Sequence, residues 1–152
     1  MSKPSSLKIL QELAQQQTDA SAIKLGKLNA QHQGAEKKLN LLLQYRANYQ
    51  SHLQNAVAKG IDQTELLNFI AFMNKLDAAI SEQRHVVLHT QSMQAAGKSE
   101  FLFNQRKLKC YSILSQRKET LENHKALKHE QKMQDEFAAN AFSRDSASIK
   151  NS

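Results

Sequence analysis

Only one short stretch of this 152-residue chain carries both a helix stop and a helix start. The single proline is Pro4. Among the four glycines, Gly60 alone sits in a turn cluster, Lys59-Gly60-Ile61-Asp62. Gly60 stands where a left-handed residue closes a helix. Asp62 is placed to cap the next helix, and Glu65, three residues on, is its capping-box partner. Ile61 and Leu66 are spaced as a hydrophobic staple across that cap. One internal stop predicts an all-α chain of two long helices joined by one bend. The first helix is expected over about 5–58, starting at Ser5 or Ser6 after Pro4. The turn falls at 59–62 and the second helix at about 63–142. Residues 1–143 then form one hairpin, and the Ser/Asp/Asn-rich segment 144–152 reads as a disordered tail.

The helices have a seam. One heptad phase runs Leu7, Ala14, Ser21, Leu28, Ala35, Leu42, Tyr49, Ala56, with Leu25, His32, Leu39, Arg46 and Leu53 as companions. The second helix repeats the pattern at Leu66, Met73, Ile80, Val87, Gln94, Phe101, Leu108, beside Phe69, Leu76 and Gln83. After Leu108 the apolar spacing slips to Tyr111, Leu114, Lys118, Leu121, a stammer-like irregularity. Gly26, Gly34 and Gly97 have no turn residues beside them and read as tolerated inside helix. There is no tryptophan, aromatic content is 6% and mean hydropathy is -0.61, so the seam is thin and no thick core is available.

Thin seams make poor active sites. His85 and His89 share a helix face, but no glutamate stands between them in the metalloprotease position and the other histidines are scattered. Cys110, the one cysteine, reads as a packing residue and excludes an intrachain disulfide. No Gly-rich phosphate loop or nucleophile elbow is present. Catalysis, metal binding and cofactor binding are therefore not expected. The opening Met1-Ser-Lys-Pro-Ser-Ser has no apolar h-region and no run reaches ~18 apolar residues, so neither secretion nor a membrane span is expected. A cytoplasmic location is the simplest expectation. Net charge is +7, divided as +4 over 1–62, -1 over 63–105 and +4 over 106–152. Basic ends favour acidic partners, be they protein, nucleic acid or lipid.

Surface is then the question. At ~1.5 Å per residue the two helices span ~80 and ~120 Å. Folding at Gly60-Ile61 pairs residues whose numbers add to about 121, which leaves Arg117 to Phe142 as an overhang. Near the bend the same pairing sets Leu42 by Ala79, Tyr45 by Leu76 and Tyr49 by Phe72. A two-helix seam does not need all six, and surplus aromatic surface marks partner sites. A thickened seam that locks the register explains the spacing equally well. The overhang carries Arg117, Lys118, Lys125, Lys128 and Lys132, then Met133 and Phe137. A lone helix with Leu121, Leu127, Met133 and Phe137 uncovered is marginal in isolation, which favours docking. A solvated face is the plainer alternative.

These residues resemble the flagellar FliJ family, components of the flagellar type III export apparatus. The likeness covers nearly the whole chain. It is carried by Leu7-x-x-Leu10-x-x-Leu13-Ala14, by Leu42-x-x-Tyr45-x-x-x-Tyr49 with Gly60-Ile61 and Phe72-x-x-x-Leu76-x-x-Ala79-Ile80, and by Gln131-Lys132-Met133 with Asp135-Glu136-Phe137-Ala138. The resemblance implies an antiparallel two-helix coiled coil similar to the central stalk of rotary ATPases. It implies a protein at the inner face of the cell membrane that enters the export ATPase ring, contacts the cytoplasmic domain of the export gate and serves as an export chaperone or escort. Other export chaperones are further partners, and no nucleic acid is expected. Carried over by position, the gate patch is Leu42, Tyr45, Tyr49, Phe72, Leu76 and Ala79. This sequence departs from the family at two flanking positions, with Lys38 for a glutamine and Gln83 for a histidine. The ring contact falls at the open end, where the candidates are Arg117, Lys118, Lys125, Lys128, Lys132 and Phe137. The rival functions are a basic coiled coil that binds nucleic acid and a plain structural coiled coil.

Overall fold

The structure, a computed structural model, describes residues 6–151. It contains α1 over Ser6–Lys59 and α2 over Gln63–Lys150, with no strand among the described residues. The two long helices pack antiparallel, as the hydrogen bonds between His32 and Thr90 and between Arg46 and Asp77 require. This is the all-α hairpin expected, with the second helix the longer. Pro4 and Ser5, proposed to open α1, lie outside the described residues; Ser6 is already helical.

The turn follows its local chemistry. Gly60 has φ +85, and its N–H donates to the Val57 carbonyl at 3.2 Å. Leu66 N–H donates to the Asp62 carbonyl at 3.0 Å, the first bond of α2 and the arrangement an N-cap residue makes. Ile61 and Leu66 are both half-buried, as a staple requires. A Cβ at residue 60 meets nothing within 4 Å, so the strain of an L side chain there is purely of the backbone. Gly60→Ala is expected to cost about 1 kcal/mol. It should read as a lower midpoint in a thermal melt followed by circular dichroism, and an unchanged midpoint would remove the strain argument.

The far end of α2 differs from expectation. The helix runs to Lys150, through the segment expected to be disordered. No proline or glycine follows Gly97, and Ala138, Ala139, Ala141 and Ala147 favour helix where serine and asparagine alone would not.

The chain divides into two compact units, Gln15–Gln105 and Met1–Ala14 with Arg106–Ser152. In the unit Gln15–Gln105, the covered positions of α1 from Thr18 to Ala56 alternate three and four residues apart. Those of α2 from Leu66 to Asn104 do the same, with Ala79 in addition. Both heptad phases read from the sequence are therefore the seam. Its character changes along its length. Leu76, Ile80, Leu28 and Ala35 are the buried apolar residues of this unit. Away from the turn the seam becomes small and polar. Thr18 Oγ1 donates to the Asn104 carbonyl (3.2 Å), His32 Nδ1 meets Thr90 Oγ1 (3.1 Å), and Gln94 Nε2 donates to Asn29 Oδ1 (2.6 Å). Such pairs add little net energy but tie the register, because a slipped register leaves them unmade.

Gly97 belongs to this small-residue region and is not merely tolerated. It is buried, and a Cβ there would lie 2.6 Å from Leu28 Cδ1 and 3.6 Å from Leu25 Cδ1. Leu28 is itself buried, so the end of its side chain must shift to admit that Cβ. Gly26 and Gly34 face open space. Gly26→Ala and Gly34→Ala are each expected to stabilise by up to ~1 kcal/mol through helix propensity. Gly97→Ala should show no gain, because displacing Leu28 offsets it. Thermal midpoints of the three variants decide this; a rise for Gly97→Ala equal to that for Gly26→Ala would show that Leu28 yields freely.

In the unit Met1–Ala14 with Arg106–Ser152, the covered residues among those described are Leu7, Gln11 and Ala14 of α1 and Leu108, Tyr111, Ser112 and Ser115 of α2. Gln11 Nε2 donates to Ser112 Oγ at 3.2 Å. The expected stammer after Leu108 is absent from the packing. Tyr111 and Ser115 keep the heptad, and Leu114 and Leu121 are exposed. The slip lies in which positions are apolar, not in which are covered. Cys110, expected to pack, is also exposed. From Gln116 to Asn151 every residue is exposed.

Candidate partner-binding surfaces

The six residues singled out near the turn all lie in the unit Gln15–Gln105, but they divide into two kinds. Leu76 is buried in the seam, and Leu42 and Tyr49 are half-buried seam positions. The Tyr49 ring packs against Phe72 at 4.3 Å between centroids and against Phe69 at 5.0 Å, tilted by 43° and 47°. This confirms the pairing of Tyr49 with Phe72 expected from the fold at Gly60. Such tilted pairs add about 0.5–1.5 kcal/mol beyond their buried area. Tyr45 and Phe72 occupy the heptad position beside the seam and remain 59% and 45% exposed; Ala79, one heptad after Phe72, is half-buried. The accessible aromatic surface of the patch is thus Tyr45 and Phe72, carried on a platform of Leu42, Tyr49 and Leu76.

The two flanking departures also separate. Lys38 is exposed, one heptad before Tyr45. Gln83 is buried, and its Nε2 donates to the Ala35 carbonyl at 3.0 Å. Gln83 is a seam residue that satisfies a backbone acceptor, so its identity bears on packing and not on the surface of the patch.

The other edge of the seam is polar. Arg46 Nε donates to Asp77 Oδ1, and Arg46 Nη1 donates to Gln50 Oε1 at 3.3 Å. The hydrogen bond and charge of Asp77 raise the Arg46 pKa above its usual value. Beside this pair lies an open groove of about 400 Å³ that Leu43 and Arg84 also line. A second groove of about 580 Å³ runs past Leu25, Gln91, Lys98 and Phe101. Both are shallow and open. Among the described residues no cluster of three histidine, cysteine or acidic side chains is arranged to hold a metal, His85 and His89 included. No helix of the described residues is long and apolar enough to cross a membrane.

In the other unit, Arg117, Lys118, Lys125, Lys128, Lys132 and Phe137 are all exposed. Residues 117–137 contain five Lys/Arg and five Asp/Glu, so the segment is formally neutral by count. At 100° per residue, Lys118, Lys125 and Lys132 repeat by heptads with Arg117 and Lys128 close beside them, and Glu119 and Glu130 lie on the opposite side; Glu122 borders this cationic face, and Asp135 and Glu136 fall within it just past Lys132. Leu114 and Leu121 fall within the cationic face, so a partner there meets lysine and leucine together.

Comparison with known proteins bears on what these surfaces serve. The profile of the family described as Flagellar FliJ protein matches residues 2–147. The Flagellar FliJ protein of Salmonella typhi is 29% identical over 145 residues, covering 95% of this chain and 98% of that protein. The Flagellar FliJ protein of Escherichia coli strain K12 is 28% identical over 145 residues with the same coverage.

Proposed function

Because this chain belongs to the flagellar FliJ family, we propose that it acts in flagellar protein export, as a binding component between export machines and not as an enzyme. Tyr45 and Phe72, on their platform of Leu42, Tyr49, Leu76 and Ala79, hold the cytoplasmic domain of the export gate. The face carrying Arg117, Lys118, Lys125, Lys128 and Lys132, with Phe137 beyond it, meets the export ATPase ring. ATP hydrolysis belongs to the ring, and this chain couples ring to gate while escorting export chaperones. Its place is at the inner face of the cell membrane, peripheral to the flagellar base.

The observation that carries the gate assignment is the exposure of two aromatic rings, Tyr45 and Phe72, where the seam alone needs neither to be accessible. Aromatic residues are over-represented in the cores of protein interfaces, because they desolvate a large area at low entropic cost. The alignment of Arg117, Lys118, Lys125, Lys128 and Lys132 on one side of α2 supports the ring assignment: a cationic helix face attracts an acidic wall and is screened by salt. The test is a binding titration of the purified export-gate cytoplasmic domain against the wild type and Tyr45→Ala/Phe72→Ala. Undiminished binding by the variant would refute the gate assignment.

A further inference from the structure

The apolar edge does not stop at the turn-proximal patch. Phe72 is followed at heptad intervals by Ala79, Val86 and Met93, and Val86 and Met93 are 41% and 43% exposed. Each stands one residue before a seam position: Met73, Ile80, Val87 and Gln94. The register of this edge is confirmed further along. Glu100 lies one heptad after Met93, and Lys24 lies three heptads before Tyr45. Lys24 Nζ and the Glu100 carboxylate meet at 3.1 Å. The stripe of α2 and the Tyr45 line of α1 therefore run along the same side of the seam.

A helix that packs against one neighbour needs two apolar lines. A third, adjacent line at the same heptad spacing is the pattern of a helix with two neighbours. In this unit α2 has the third line and only α1 as neighbour. Leu41 and Tyr45, both exposed, form the facing wall. From Phe72 to Met93 the stripe is about 32 Å long, three heptads of helix. Its border carries more positive than negative charge. Lys38 on α1 and Lys75 on α2 border it, and neither makes an ion pair among the described residues. Against them stands Glu82; the other carboxylate of this stretch of α2, Asp77, is engaged by Arg46 on the opposite edge.

We propose that the edge Phe72–Ala79–Val86–Met93, with Leu41 and Tyr45, seats a third helix from a protein partner. That helix is amphipathic, about three heptads long, and flanked by acidic residues that face Lys38 and Lys75. The proposal rests on the gate reading in one respect: the seated helix belongs to the partner held at Tyr45 and Phe72. It goes beyond that reading by making the contact a helix-in-groove interface that continues to Met93.

The experiment uses the full chain with two probes. One is the purified export-gate cytoplasmic domain. The other is a labelled designed 21-residue amphipathic helix with leucine on its apolar stripe and glutamate on both flanks, compared with a lysine-flanked version. The variants are Val86→Asp/Met93→Asp and, as a surface control on the opposite face of α2, Leu88→Asp. We expect the wild type and Leu88→Asp to bind the glutamate-flanked peptide and the gate domain alike. Val86→Asp/Met93→Asp should bind each at least about tenfold more weakly, a loss of ~1.4 kcal/mol. The lysine-flanked peptide should bind worst. If Tyr45→Ala/Phe72→Ala loses the gate domain while Val86→Asp/Met93→Asp retains it, the extended groove is wrong and the gate reading stands. If the gate domain fails to bind the wild type, the gate reading falls and with it the identity of the partner. The groove itself is then upheld by Val86-dependent capture of the acidic peptide and overturned by its absence. Equal binding of both peptides overturns the acidic specificity.

Discussion

Ile80→Asp is expected to destabilise the helix pair by on the order of 3–5 kcal/mol. Ile80 is 5% exposed, among the most covered residues of the unit Gln15–Gln105, where apolar burial is confined to Leu28, Ala35, Leu76 and Ile80. With so few covered apolar side chains, each carries a large share of the pairing energy. Of the two cations lining the groove beside Ile80, only Arg84 has no ion-pair partner among the described residues, which offsets part of the cost of a buried carboxylate and not the lost apolar packing. Arg46 is already engaged by Asp77 and Gln50. The change should therefore open the seam locally. Hydrogen exchange should lose protection around residues 73–87 of α2 and 35–46 of α1, while the turn retains its local bonds. Leu88→Asp, at an exposed position of the same helix, should stay within ~0.5 kcal/mol of the wild type. Equal melting of the two variants would show that the seam near Ile80 contributes little.

The second large effect concerns binding. Tyr45→Ala/Phe72→Ala should weaken capture of the export-gate cytoplasmic domain by about 100-fold, because two aromatic anchors at an interface centre are each worth ~1–2 kcal/mol or more. Helicity should be nearly unchanged, since both residues stand beside the seam, though Phe72→Ala also removes the ring contact with Tyr49 and should lower the melting midpoint slightly. Tyr49 is the informative contrast. Its ring is packed against Phe69 and Phe72, so Tyr49→Ala removes seam contacts as well as surface. It should lower the melting midpoint first and affinity second. Circular dichroism run beside the titration separates the two. A Tyr45→Ala protein that unfolds, or a Tyr49→Ala protein with unaltered stability, would reverse the assignment of platform and anchor.

Much of this was legible in the chain. The turn at Lys59-Gly60-Ile61-Asp62 depends only on residues within a few positions of one another, so its signals survive intact into the fold. The heptads were legible because helical periodicity projects burial onto sequence directly. The six-residue patch was legible as a group but not as parts, since Tyr45 and Leu76 are equally apolar to a reader of spacing. The stripe through Val86 and Met93 was open to the same arithmetic. Its meaning was not legible there, because a third apolar line marks a free face only where the fold supplies no second neighbour. Within the expected tail 144–152, residues 144–150 continue α2, because serines lower helix propensity without breaking a helix already under way.

The sequence by itself determined the two helices, their single reversal, the unequal lengths and the register, because caps, periodicity and a positive-φ glycine are local properties. Only the tertiary structure decided which apolar residues stay accessible, that a Cβ at Gly97 would meet the Leu28 side chain, and that Gln83 turns inward to the Ala35 carbonyl. Those facts depend on how near the two backbones come. That distance is set by small residues such as Ser21, Ala35 and Gly97, contributed jointly by two helices that are remote in sequence.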